Sequence, residues 1–260
     1  MQYQMRKRMI VVLVFCAGTA QAGWAQAEGE QTLTAEEIVA RMQAKNAERQ
    51  AALEHYSSQR TYRVEYKGTG GAHWGEMVVH AEYTAPDKKN FSVVSESGSK
   101  VICERVLRRL IESEQEATRQ ENRTQTALST ANYNLELAGE EQVDGVRAWL
   151  LKVSPKVDNK FTYRGRVWVN ADDYAVMRIQ GEPAKNPSWW INRASFDSRY
   201  VHRGEFWLPG RNVSTSHVRI GGEATLIIDY GAYESVTGQP QASDGAVAEA
   251  GKGAVRKTEN

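Results

Sequence analysis

The chain has 260 residues, 33 of them Lys or Arg and 32 Asp or Glu, for a formal net charge of +1 at pH 7. So even a balance excludes a general nucleic-acid binder, which needs a strong basic surplus. The length suits one sizeable β-rich domain with its own core, preceded and followed by short segments of different character.

The first of these segments is basic and then apolar. Arg6, Lys7 and Arg8 precede the run Met9 to Ala17, the n-region and h-region of a secretory signal. The run is far shorter than the roughly 20 residues that span a bilayer. Small-x-small cleavage patterns follow at Ala20-Gln21-Ala22 and Ala25-Gln26-Ala27, and cutting after Ala27 is preferred because the chain turns polar at Glu28. Cys16 follows Phe15 inside the apolar run, the wrong setting for lipidation, so the expected mature chain is periplasmic and carries no membrane anchor. Removing residues 1–27 takes away three basic side chains and no acidic one, which moves the formal charge from +1 to −2. Only Cys103 then remains, so no intramolecular disulfide is expected.

Thr34 and Glu37 have the spacing of a capping box, opening a helix whose thin apolar stripe is Ile38, Met42, Leu53 and Tyr56. From Arg60 the period changes to two: Tyr62, Val64 and Tyr66 alternate with Arg63, Glu65 and Lys67 up to the turn cluster at 68–71. Strands are predicted at 74–83 and 90–96. A helix is predicted over 99–128, with Cys103, Val106, Leu107, Leu110 and Ile111 on its apolar face and a polar second half. Further strands follow near 133–140, 146–154, 161–170, 174–181, 190–202, 205–208, 212–220 and 224–235. Turn signals separate them, Asp144-Gly145 and Pro209-Gly210 among them. Many short strands in succession imply an antiparallel sheet, strongly curved or barrel-like, in an α+β but mainly β fold. Residues 236–260 lack an apolar pattern and read as a disordered tail, so the domain is expected at 28–235.

No catalytic constellation emerges. Ser97-Gly98-Ser99-Lys100 matches a serine–lysine acylation spacing but lacks the partner motifs, and a turn into the helix explains it better. The five histidines fall at no short metal-ligand spacing, so neither a metal nor a cofactor is expected. Asp172-Asp173, behind Asn170, reads as a turn. Arg105, Arg108 and Arg109 form a basic helix face, either solvated or facing an acidic partner or lipid headgroup. The positive feature is the set of large apolar strand residues. Both a fully covered core and a partly open apolar pocket fit them.

The stretch from Tyr163 to Gly181, with Trp168-Val169-Asn170, a turn and then a strand bearing Arg178, resembles the outer-membrane lipoprotein-sorting, LolA-like superfamily of periplasmic carriers. The order helix, strands, helix, strands, the run Leu137 to Gly145 and the closing Leu226 to Tyr230 support the resemblance over about residues 34–235. Asn170 departs from it, because an acid is usual there. The resemblance implies a half-open barrel lidded by helices at 34–56 and 100–125. It also implies a non-catalytic carrier or chaperone for lipid acyl chains or a lipoprotein, working with a membrane-protein donor or acceptor. Regulatory sensors of the MucB/RseB type share the fold, so a binding module for a protein partner is the alternative. Taking alternate strand positions as inward, the expected pocket is Trp149 and Leu151, Val167 and Val169, Met177 and Ile179, Leu226 and Ile228. A one-residue slip in a strand would invert its share of the set.

Overall fold

The computed structural model describes residues 33–117, 127–159, 161–186, 189, 191–219 and 221–238. The expected signal segment, most of the expected tail, the end of the polar helix and Trp190 lie outside the described residues.

Helix α1 spans Ala35–Ala52. The Thr34 side chain accepts from the Glu37 N–H at 3.2 Å, and Glu37 reaches back to the Thr34 N–H at 2.8 Å, so the capping box is complete. Its buried face is Ala35, Ile38, Val39 and Met42. The helix stops at Ala52, earlier than expected. Leu53 is extended and opens β1, so Leu53 and Tyr56 belong to a strand and not to the apolar stripe of a helix. The alternation that marks β1 already runs through this segment, and strand pairing overrides its helix-compatible composition.

Eleven strands follow: β1 Leu53–Gly68, β2 Gly71–Thr84, β3 Lys88–Gly98, β4 Tyr133–Val143, β5 Val146–Pro155, β6 Tyr163–Asn170, β7 Val176–Pro183, β8 Ile191–Arg203, β9 Phe206–Val218, β10 Gly222–Asp229 and β11 Tyr233–Gly238. They form one antiparallel sheet in the order β3-β2-β1-β10-β9-β8-β7-β6-β5-β4, with β11 pairing β1 beside β10. The two end strands do not pair with each other, so the sheet is a half-open barrel. Its curvature follows from which residues meet: Tyr83 of β2 and Ile179 of β7, five strands apart in sheet order, line one cavity.

Two boundaries differ from expectation. Pro209-Gly210 does not turn the chain; β9 runs straight through it, with Pro209 opposite Tyr200 and a register shift after Arg199. Proline is tolerated at such a bulge because no ladder N–H is needed there. The expected single strand at 224–235 divides at Tyr230–Ala232 into β10 and β11. Both halves pair with β1, and at Gly231 a Cβ would lie 2.4 Å from the Gln59 carbonyl oxygen, so the break in that ladder favours glycine. β11 reaches Gly238, three residues into the segment expected as tail.

From β3, on one edge, the chain crosses the concave face to β4 on the other. The crossing contains α2 (Lys100–Ile102), a π-helical turn (Cys103–Leu107) and α3 (Arg108–Ala117). Ser97 and Gly98 end β3 and Lys100 starts the helix, ion-paired to Glu104, so the serine–lysine spacing is a strand-to-helix turn. This helical segment seats on β2 at Gly75, where a Cβ would approach Ile102 Cγ2 to 2.7 Å. Two cores result. Under α1 pack Tyr133, Leu151, Val153, Val167 and Val169; under the 100–117 helix pack Tyr62, Val64, Met77, Val79, Cys103, Leu107, Ile111 and Ile228.

Candidate functional site

Between the two helix-covered regions, the inner face of β8, β9 and β10 carries small side chains: Ala194, Ser214, Ser216 and Ala224. Small residues facing a helix leave volume unfilled, and a cavity of about 720 Å³ opens there between this floor and the helix at Arg105, Val106, Arg109, Leu110 and Ser113. Val64, Phe196, Ile191, Val218 and Leu226 complete largely apolar walls. The Ser214 hydroxyl donates to Asn212 Oδ1 at 2.9 Å, and Asn212 donates to Ser198 Oγ at 2.6 Å, so this floor hydroxyl is already engaged within the sheet.

A second cavity, about 360 Å³, lies beneath the end of α1 and is lined by Leu53, Tyr56, Tyr83, Val176, Ile179, Tyr200 and Phe206 with Arg49 and Lys89. Both cations are engaged internally. Arg49 lies 3.3 Å from Asp173, and Lys89 lies 2.8 Å from Glu114. Burial pushes the phenol of Tyr200 up, and pushes those of Tyr163 and Tyr230 well above the ordinary range. These rings are therefore neutral hydrogen-bonding groups in an apolar interior.

One charged cluster fastens the helical lid to the sheet. Arg60 of β1, fully buried, donates to Glu114 of α3 at 2.6 Å. Tyr62 Oη and Lys89 Nζ donate to the same carboxylate at 2.8 Å each. The Arg60 guanidinium also lies 4.7 Å over the Tyr230 ring and 5.5 Å over Phe91. Burial opposes the charge on Glu114, but Lys89 and Arg60 outweigh it and hold the carboxyl below its usual range.

The eight residues expected to form a pocket separate into three groups. Leu151, Val167 and Val169 lie on the inner face but are 0% exposed in the core under α1 and line neither cavity. Trp149 packs at the margin of the same core, with its indole N–H unpartnered and Arg147 over its ring. Ile179 lines the smaller cavity and Leu226 the larger, with Ile228 buried beside Leu226. Met177 faces the other way, packed with Ala148, Leu150 and Trp168. The cause is a bulge: Trp168 pairs Arg178 but Val169 pairs Val176, so Met177 is the extra residue and Val176 takes the inward position.

Three sequence features resolve as structural. Trp168 donates to Glu141 at 2.8 Å and lies between the guanidinium groups of Arg166 and Arg178, 5.4 and 4.9 Å from its ring. Arg178 in turn pairs with Asp197. Asn170 Oδ1 accepts from the N–H groups of Asp172 and Asp173, and Asp173 accepts from Trp207 Nε1 at 2.8 Å. The amide at 170 thus closes the β6–β7 turn, which anchors α1 through Arg49. Among the described residues no group of three or more His, Cys, Asp and Glu is placed to hold a metal.

No protein-family model and no curated protein sequence matches this chain. Among solved structures it is similar to a domain assigned to outer membrane lipoprotein sorting from Vibrio parahaemolyticus, at 10% identity and a TM-score of 0.41 over 81% of this chain and 95% of that one. It is also similar to a DUF1329 family protein from Desulfovibrio piger ATCC 29098, at 15% identity and a TM-score of 0.40 over 82% and 96%. A LolA superfamily protein from Nitrosomonas europaea matches at 13% identity and a TM-score of 0.32 over 78% and 94%.

Proposed function

We propose that this protein is a non-catalytic envelope carrier that takes the acyl chains of a lipid or lipoprotein into the larger cavity. The observation that supports this is the 720 Å³ of largely apolar space between Leu226 on the sheet and Leu110 on the helix. That volume falls in the usual range for small-molecule sites, about 300–1,000 Å³. Each buried methylene contributes about 0.8 kcal/mol, so a ten-carbon stretch supplies on the order of 8 kcal/mol before ordering costs. The basic and then apolar N-terminal stretch supports export to the periplasm. Among the described residues no helix is long and apolar enough to cross a membrane. The 100–117 helix is the natural lid. It bounds the cavity and presents Val101 and Val106 to solvent, whereas α1 is seated on a buried core.

The test is to purify the protein from the envelope fraction, extract it and identify bound lipid by mass spectrometry, then titrate a fluorescent acyl probe. Co-purified lipid and saturable probe binding are expected. Ala224→Trp should fold normally and weaken the probe at least tenfold, because its side chain enters the cavity. A protein that carries no lipid and binds no probe refutes the reading. The second reading, a regulatory module for a protein partner, is favoured by β3. Among the described residues this edge strand pairs on one side only and exposes Val93 and Val94. A stoichiometric protein complex lost in Val94→Lys would support it.

A further inference from the structure

We propose that Arg105 and Arg109 hold the phosphate headgroup of an anionic lipid whose acyl chain occupies the larger cavity, an inference that rests on the acyl-binding reading above. Arg105 and Arg109 are the only charged side chains among the described residues that line this cavity. No described lining residue is acidic. Their environment differs from that of the other cations of the helical segment and of those at the smaller cavity. Arg108, between them, pairs with Glu96, and Lys100 pairs with Glu104. Lys89, at the smaller cavity, is held by Glu114, and Arg49 by Asp173. Arg105 and Arg109 have no carboxylate partner among the described residues, and both are exposed.

Their spacing places them together. Four residues apart, the two guanidinium groups rise from one side of the helix, and Ser113 extends the same line by a further turn onto the cavity. Like charges at this spacing repel, a small cost that a bound anion removes. A guanidinium suits phosphate because it donates two parallel N–H bonds to it, and a phosphate monoester carries close to the two charges that face it. The two halves of the cavity thus match the two halves of an amphiphile. Leu110, Phe196, Val218 and Leu226 meet the chain, and the paired arginines meet the head.

The experiment titrates the full chain with 1-oleoyl lysophosphatidic acid, 1-oleoyl lysophosphatidylcholine and inorganic phosphate, by displacement of a fluorescent acyl probe and by calorimetry. With about 1 kcal/mol per basic group near an anionic lipid surface, the wild type should prefer the phosphatidic form roughly 30-fold. Arg105→Gln/Arg109→Gln should bind both lysolipids alike, at the affinity the wild type shows for the choline form. Circular dichroism confirms that the variant is folded. Equal affinity for the two lipids in the wild type overturns the headgroup assignment while leaving acyl binding intact. So does a preference that survives the double substitution. Inorganic phosphate binding as tightly as the phosphatidic lipid makes this a free-anion site and overturns the lipid assignment. Binding of neither lysolipid overturns the acyl reading and this inference together.

Discussion

Replacing Glu114 with alanine removes the one carboxylate shared by Arg60, Lys89 and the Tyr62 hydroxyl. Arg60 has no exposure and one Nη atom already without a partner, so the loss leaves two cations facing each other with no anion between them. Removing one partner of a buried pair costs about 3–5 kcal/mol. For a domain of this size that lowers Tm by on the order of 10 °C. The Tyr230 and Phe91 rings offset part of the deficit for Arg60, and Phe91 offsets a smaller part for Lys89, whose Nζ lies 5.8 Å from its centroid. Urea denaturation gives the stability change, and hydrogen exchange shows where it falls: amides of residues 108–117 should lose protection before those of α1. Glu114→Gln keeps acceptors without charge and should fall between the wild type and alanine. The pH dependence has a defined sign. The folded carboxyl titrates below the usual 4.5, so its contribution is full above that value and is lost as pH falls through the lower, folded value. The gap between wild type and Glu114→Gln should therefore close in acid. A cost below about 1 kcal/mol, the value of a surface pair, or a gap independent of pH down to the acid transition, would refute the picture of a buried fastening.

Leu151→Ala, in the core under α1, should cost about 2–5 kcal/mol in urea melts and leave acyl-probe affinity unchanged. Gly75→Ala places a Cβ against Ile102, and the resulting shift of the 100–117 helix should cost about 1–3 kcal/mol, with faster exchange in that helix alone. Tyr163, Tyr200 and Tyr230 all titrate above their usual 10.0 because burial favours the neutral phenol. Stability should accordingly hold below pH 10 and fall as pH rises beyond it, measured by urea midpoints at pH 9 and 11.

Much of the sheet was legible because its strands alternate cleanly and its turns carry their own signals. Tyr62, Val64 and Tyr66 predict the inner face of β1, and Asp144, left-handed at φ 51°, and Gly145 turn the chain between β4 and β5 as expected. Arg60 sits two residues before Tyr62, in the apolar phase of the same strand, but the alternation marked it only as the start of the strand and gave no sign that it is buried. Its partner, Glu114, comes from a helix whose register on the sheet no local pattern specifies. The boundaries that failed are those where long-range pairing decides. The segment from Leu53 to Tyr56 has a helical composition, and Pro209-Gly210 a turn composition, yet each lies opposite a strand that continues past it.

The site was less legible than the fold, for two physical reasons. A bulge such as the one at Met177 changes the face of every residue on one side of it, and Trp-Val-Asn followed by Val-Met-Arg gives no local sign that an extra residue is accommodated. The second reason is general to cavities. Searching for the largest apolar side chains finds the residues that fill space, and Leu151, Val167 and Val169 do fill it. The open volume lies instead over Ala194, Ser214, Ser216 and Ala224, small residues in the inward phase of three neighbouring strands. Any one of them is unremarkable in its own strand. Only the pairing of Ala194 with Ser216, and of Ser216 with Ala224, sets them side by side, so that three strands withhold bulk at the same place beneath Arg105 and Arg109.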